Sequence, residues 1–225
     1  MENNGNPDAE RQGYYSCVAF LKTSDDMNFK YYDLLSNLIV GVVAIFALWK
    51  LLFPEVEIND WLILPMGYFL GYFLDAFASL IEPCLFKIIC GKPSDKLLTP
   101  VPGKSWTGIN KVRFYFAQKA IDCIRKDIGD DNASTDKMFS YAKGMVNANS
   151  DGRVPDFRGH YALARVVLTT VFIAVFLVEM EYYNIWYTWL ISVLVLCLSW
   201  NRYRERGYYY AREVLNEYLK TRQYM

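Results

Sequence analysis

Four apolar segments, each about as long as a membrane-crossing helix, constrain this 225-residue chain more than any other feature. They lie at 34–53, 61–81, 161–180 and 182–201. A bilayer core of roughly 30 Å needs about 20 helical residues. Helices at the surface of soluble proteins show a polar face with a 3.6-residue period, whereas the stretches 34–49 and 182–201 contain no charged residue. The sequence therefore predicts an all-α integral membrane protein with four transmembrane helices arranged as two hairpins.

The distribution of charge predicts the orientation of these helices. The loop 54–60 contains acidic residues but no Lys or Arg, and the turn after the third segment holds Glu179 and Glu181. Apart from Lys50, every basic residue lies at the other ends of the segments. The positive-inside rule then predicts an N-in, C-in topology with the middle of the chain in the cytoplasm.

Charge and hydropathy together divide the chain into five predicted parts. They are a cytosolic N-terminal segment at 1–33, transmembrane hairpin 1 at 34–81, a cytosolic helical module at 82–160, transmembrane hairpin 2 at 161–201 and a cytosolic C-terminal helix at 202–225.

Helical periodicity recurs in the predicted cytosolic parts. Apolar residues at a 3.6-residue period predict an amphipathic helix over 109–128, and Ser134 or Thr135 can cap a second helix. A third helix over 202–220 continues out of the membrane, with an apolar face formed by Tyr203, Tyr210, Val214 and Tyr218. The segment 91–108, rich in Pro and Gly, is predicted to be a linker or lid, and 147–155 is predicted to be a turn. Such short one-sided helices must pack on each other, on the membrane or on another chain.

Small and polar residues recur every fourth position in the second apolar segment. Gly67, Gly71, Asp75 and Ser79 share one helix face, and the Gly-x-x-x-Gly spacing lets a neighbouring helix approach closely. An ionised carboxylate near the bilayer centre costs roughly 2.5–3.5 kcal/mol on insertion scales, so Asp75 must face protein or water. Two interpretations remain open: this face lines a pore or gate, or Asp75 pairs with Arg165, Lys87 or a backbone group.

Basic residues cluster on both sides of hairpin 2. Arg153, Arg158, His160 and Arg165 precede or open the third segment, and Arg202, Arg204 and Arg206 follow the fourth. We interpret them as contacts to lipid headgroups or to a partner. The pair Arg153 and His160 also fits the loose R-x(4–6)-H spacing of certain ribonuclease domains, but Gly152, Pro155 and Gly159 are expected to break the helix that such a site needs.

Other chemistries find little support in the residues. The stretch beginning at Asn147 imitates a calcium loop, but Arg158 stands where the bidentate Glu is needed. With one His in the chain, we expect no metal, no cofactor and no enzymatic activity. Lys plus Arg and Asp plus Glu both number 24, and the resulting zero net charge argues against direct nucleic-acid binding.

Several short motifs occur together across residues 30–220. They are G-Y-x-x-G-Y at 67–72, Phe139-Ser140-Tyr141-Ala142, the spaced set Arg153, Phe157, Tyr161 and Arg165, and the tail from Arg202-Tyr203-Arg204 to Tyr210-Ala211-Arg212-Glu213-Val214-Leu215. In this plan the chain resembles small prokaryotic four-span membrane proteins found as accessory or effector components of phage-defence and CRISPR loci. The resemblance implies a membrane effector or regulator that works with a cytosolic sensor, and it implies a bacterial inner (plasma) membrane as the location. It assigns no functional residue.

Two functions remain open on these grounds. The first is an oligomeric membrane effector or channel-like protein, in anti-phage defence, whose cytosolic helices receive a signal and whose spans alter membrane integrity or conductance. The alternative is a non-conducting membrane anchor or scaffold that recruits a soluble partner. The expected partners are the lipid bilayer, further copies of the chain and a cytosolic protein.

Overall fold

The computed structural model describes residues 34, 37–49, 59–86, 91–100, 105–109, 111–148 and 152–223. The predicted N-terminal segment 1–33 and most of the loop 54–60 lie outside these residues. The chain is mostly helical, as predicted. In chain order its elements are α1 (Asn37–Trp49), α2 (Asp60–Leu85), α3 (Pro93–Leu98), β1 (Thr107–Ile109), β2 (Val112–Phe114), α4 (Ala117–Ile128), α5 (Thr135–Ala148), α6 (Val154–Glu181) and α7 (Trp186–Gln223).

Two helices in the described residues are long and apolar enough to cross a membrane, namely Trp61–Leu85 and Val154–Glu181. Only 22% and 17% of their apolar windows are buried, whereas the core helix of a soluble protein would be mostly buried. The sequence predicted four spans. The described part of α1 is shorter than a membrane span. In the apolar half of α7, aromatic residues lower the mean hydropathy, and this half ends at Asn201 and Arg202.

Hairpin 1 is held by a very close approach of α1 and α2. A Cβ placed on Gly41 would overlap the backbone oxygen of Gly67, and one placed on Gly71 would overlap the backbone oxygen of Asn37. Only glycine allows two helix backbones to come this close. Around these glycines, Val40, Ala44 and Leu74 are buried together with Val166 of α6, so hairpin 1 packs on hairpin 2.

Hairpin 2 consists of α6 and the first part of α7. At its turn, Glu179 is not in the connecting loop, as the sequence suggested, but in the last turn of α6, buried, where it accepts a hydrogen bond from Ser192 Oγ at 2.5 Å. The predicted helix break at Pro155 and Gly159 is wrong, because α6 begins at Val154 and continues through both residues. Proline is well tolerated in a first helical turn, where its missing N–H has no intrahelical partner.

The remaining elements form one module around the second half of α7. Its core contains Leu97 of α3, Val112 and Phe114 of β2, Ile124 of α4, Met138 and Ala142 of α5, and Val214, Leu215 and Tyr218 of α7. The predictions for this region were partly correct. The sequence offered Ser134 or Thr135 as the cap of α5, and the structure uses Ser134, whose Oγ accepts the Lys137 backbone N–H at 3.3 Å. The predicted apolar face of α7 is also confirmed, since Tyr203, Val214 and Tyr218 are at most 1% exposed.

Two predictions for the module were wrong. The periodic residues at 109–128 do not form one helix: β1 and β2 pair antiparallel with Thr107 opposite Phe114, and α4 begins only at Ala117. Gly108 has φ +120°, a backbone angle that favours glycine. The predicted linker 91–108 contains α3 as well as β1. Pro93 opens that helix, and Thr107 Oγ1 donates to the Leu97 carbonyl at 2.9 Å.

Candidate functional site

A cluster of charged and phenolic side chains lies where the two hairpins meet the module. We call it the polar joint, and it consists of Asp75 and Glu82 of α2, Tyr161 and Arg165 of α6 and Tyr203 of α7. Arg165 donates from Nη2 to Asp75 Oδ1 at 2.7 Å and from Nη1 to Glu82 Oε2 at 2.9 Å. One guanidinium therefore bridges two carboxylates that lie two helical turns apart on α2.

Two tyrosine hydroxyls also donate hydrogen bonds to Glu82. Tyr161 donates its hydroxyl to Glu82 Oε1, and the Tyr203 hydroxyl donates to the same oxygen at 3.0 Å. The two rings stack with centroids 5.4 Å apart, and Tyr161 also stacks on Tyr210 at 5.8 Å. Since Glu82 receives donors from both α6 and α7, the joint fastens three helices to one another.

Of the predicted Gly67–Ser79 face, the structure brings Gly67, Gly71 and Asp75 into contact with other helices and leaves Ser79 exposed. Gly67 and Gly71 lie against α1, and Asp75 pairs with Arg165, which is one of the arrangements that the sequence left open. Ser79 Oγ donates to the Asp75 backbone carbonyl, one turn earlier in its own helix, at 2.9 Å. A single chain therefore uses this face for helix packing and for an ion pair.

The predicted basic residues occupy four different environments. Arg165 is in the polar joint. Arg153 is exposed at the start of α6, with its guanidinium 5.7 Å from the Phe157 ring centre, and Arg158 is exposed further along α6. Arg204 is half-buried on α7. The remaining three, His160, Arg202 and Arg206, line one groove between α6 and α7.

The Arg153 and His160 pair does not form a compact site. Arg153 precedes the first turn of α6 and His160 lies seven residues later, which separates the two backbones by about 10 Å along the helix axis. In the described residues no three His, Cys, Asp or Glu side chains come close enough to hold a metal ion. Part of the imitated calcium loop, 149–151, lies outside those residues.

A second polar contact fastens the far end of α7 to the module. The Tyr218 hydroxyl donates to Asp127 Oδ2 at 2.6 Å, and Arg222 Nε donates to the same oxygen at 2.7 Å. Burial raises the pKa of Tyr218 to about 12. Asp127 belongs to the last turn of α4, so this contact joins the end of α4 to the end of α7.

Sequence reasoning did not include Glu82 in the candidate site. A signal for it exists in the spacing. Asp75 and Glu82 are seven residues apart, and Tyr161 and Arg165 are four apart, so each pair shares one helix face. The sequence alone does not show that these two faces meet.

No protein-family model matches this chain, and neither a curated protein nor a solved structure gives a significant match.

Proposed function

We propose that this chain is a four-span membrane effector or regulator with both termini in the cytoplasm, in which the module receives a signal and α7 transmits it to the spans. The observation that supports this proposal best is the continuity of α7. It is a single helix of 38 residues, with one half in hairpin 2 and the other in the core of the module. At 1.5 Å per residue it is about 57 Å long, nearly twice the thickness of a bilayer core.

A continuous helix couples its two ends mechanically. Val214, Leu215 and Tyr218 are at most 1% exposed in the module core, so the module cannot rearrange around them without moving α7. At the polar joint, Tyr203 connects α7 to Glu82 of α2 and to Tyr161 of α6. A displacement of α7 therefore reaches both hairpins through short polar contacts.

Alteration of membrane conductance, in this proposal, depends on assembly of several copies. Within each chain, Gly67 and Gly71 pack on α1 and Asp75 pairs with Arg165, so a single chain uses most of the Gly67–Ser79 face for its own contacts. A homo-oligomer would have to enclose a path between chains. Action in a bacterial inner membrane during phage defence is the context that the sequence motifs suggest for such an effector.

A non-conducting anchor that recruits a soluble partner is the second candidate, and two observations favour it. The first is that Asp75 is neutralised by Arg165 within the chain, as a purely structural pair would be. The second is an exposed aromatic pair in the module: Tyr115 and Phe116, between β2 and α4, are 57% and 59% exposed. Exposed aromatic residues are enriched at protein interfaces.

The native mass of the full chain in nanodiscs is the measurement that separates the two functions. A closed assembly of four or more chains supports the effector proposal. A monomer or dimer overturns it, because four spans per chain are then too few to enclose a pore, and the anchor function becomes the better explanation.

A second experiment tests transmission through α7. Insertion of Gly-Gly-Ser-Gly between Asn201 and Arg202 interrupts the helix, and the same insertion between Gly129 and Asp130, in the turn after α4, is the matched control. We expect proteoliposomes of the wild type and of the control to release an entrapped dye, and those of the α7 insertion to retain it. Equal release from all three would contradict transmission through α7.

A further inference from the structure

A groove of about 370 Å³ lies between α6 and α7. Its basic lining residues are His160, Arg202 and Arg206, and its apolar lining includes Leu163, Val167 and Leu198. The groove is a separate surface, because none of its lining residues belongs to the polar joint.

The groove changes from basic to apolar in one direction. Along α6 the lining runs from His160 to Leu163 and Val167, toward the predicted membrane interior. Along α7, which is antiparallel, it runs from Arg206 and Arg202 to Leu198 in the same direction. Each run covers about 10 Å of helix. The basic end therefore lies at the predicted cytosolic surface and the apolar end lies at the depth of the acyl chains.

We propose that this groove binds an anionic phospholipid, with the phosphate between His160, Arg202 and Arg206 and an acyl chain along Leu163, Val167 and Leu198. Arginine binds phosphate through planar paired donors, and basic pockets between membrane helices on the cytoplasmic side are suited to acidic headgroups. The polarity of the groove follows the polarity of a phospholipid along the membrane normal.

The arginines are available for a phosphate. Among the described residues, Arg206 makes no ion pair and Arg202 makes one, with Glu205. In that pair Arg202 Nη1 lies 3.4 Å from Glu205 Oε2, and the Arg202 side chain is 58% exposed. An exposed pair of this kind contributes little, so a phosphate can compete with it. Arg206 is half-buried, and partial burial strengthens its attraction for an anion.

The apolar end of the groove distinguishes a lipid from a free phosphate. Leu198 is 62% exposed and Val167 is 37% exposed. A water-soluble phosphate would occupy the basic end and leave both side chains uncovered. An acyl chain covers them, which adds a hydrophobic contribution that only the lipid provides.

The test measures lipid retention by native mass spectrometry on the full chain in detergent. The added ligands are dioleoylphosphatidylglycerol, dioleoylphosphatidylcholine and glycerol 3-phosphate, which has no acyl chain. The groove variant is Arg202→Gln with Arg206→Gln. The matched control, Arg153→Gln with Arg158→Gln, removes the same charge from exposed positions of α6 outside the groove. Val167→Trp fills the apolar end and leaves the arginines in place.

We expect one tightly retained phosphatidylglycerol in the wild type and in the control. At about 1 kcal/mol per arginine, the groove variant should bind it roughly 30-fold more weakly. Val167→Trp should also weaken retention. Equal retention of both lipids, or an equal loss in the control and the groove variant, overturns the proposal. Binding of glycerol 3-phosphate as tight as that of the lipid overturns it in favour of a soluble phosphate ligand.

Discussion

Replacement of Arg165 by methionine tests the polar joint most directly. Methionine keeps much of the volume and the apolar stem but removes the guanidinium that bridges Asp75 and Glu82. Two carboxylates then remain in a partly buried site without a cation. Their mutual repulsion and their desolvation both act against the folded state.

The contacts set the expected magnitude. Arg165 makes two charge-assisted hydrogen bonds, at 2.7 and 2.9 Å, and its side chain is 19% exposed. Removal of one partner from a buried ion pair costs about 3–5 kcal/mol. Asp75 is 34% exposed, so solvent screens part of its charge and the lower end applies. We expect a loss of about 3 kcal/mol, which corresponds to roughly 6–12 °C in Tm for a chain of this size.

The assay is thermal unfolding of the full chain in one detergent, with Arg153→Met as the control for loss of an exposed arginine. Addition of Asp75→Asn and Glu82→Gln to Arg165→Met removes the stranded charges and should recover more than half of the loss, since neutral amides are cheaper to bury than carboxylates. An unchanged Tm in Arg165→Met would refute this reasoning. So would a neutralised triple variant no more stable than the single one.

Three further changes have separate outcomes. Gly71→Leu should abolish folding of hairpin 1, seen as loss of monodisperse protein, whereas Gly144→Leu faces open space and should remain folded. Leu97→Ala, at 0% exposure, should lower the free energy of unfolding by about 2–5 kcal/mol in a denaturant titration. Tyr218→Phe should cost about 1 kcal/mol at pH 8 through the lost hydrogen bond to Asp127. Because the folded pKa of Tyr218 is raised to about 12, its contribution is complete below pH 10 and disappears as the pH rises to 12. The stability gap between the wild type and Tyr218→Phe should therefore narrow over that interval, and a constant gap would show that Tyr218 titrates normally.

The sequence determined the features that depend on local pattern. Long apolar segments, one interrupted by Asp75 and the other by Arg165, predicted the exposed helices α2 and α6, since hydropathy is a property of single segments. The small residues Gly67 and Gly71 predicted a close helix neighbour for the same reason. The 3.6-residue period located the buried face of α7, and Ser134 marked the start of α5.

Local pattern was misleading where a tertiary partner decided the structure. Residues Ile109 and Val112 fit a helical period, but in the structure they pair with each other across a β-hairpin. The hairpin packs on α3, so their spacing reflects strand pairing and not a helix. Likewise, α3 has only 6 residues and is stable because Leu97 and Leu98 are buried by α7 and the rest of the module. Such a short helix has almost no stability of its own.

The polar joint shows the same division between what the sequence and the tertiary structure decide. The sequence predicted that Asp75 does not face lipid, because an ionised carboxylate in the hydrocarbon core is costly. It offered Arg165 as one of several partners. Only the packing of α2 against α6 and α7 decided that one guanidinium pairs with both carboxylates and that two tyrosine hydroxyls donate hydrogen bonds to Glu82. The residues that hydrogen-bond to one another in the joint lie 42 to 121 positions apart in the chain. Contacts between such distant residues depend on how whole helices pack together.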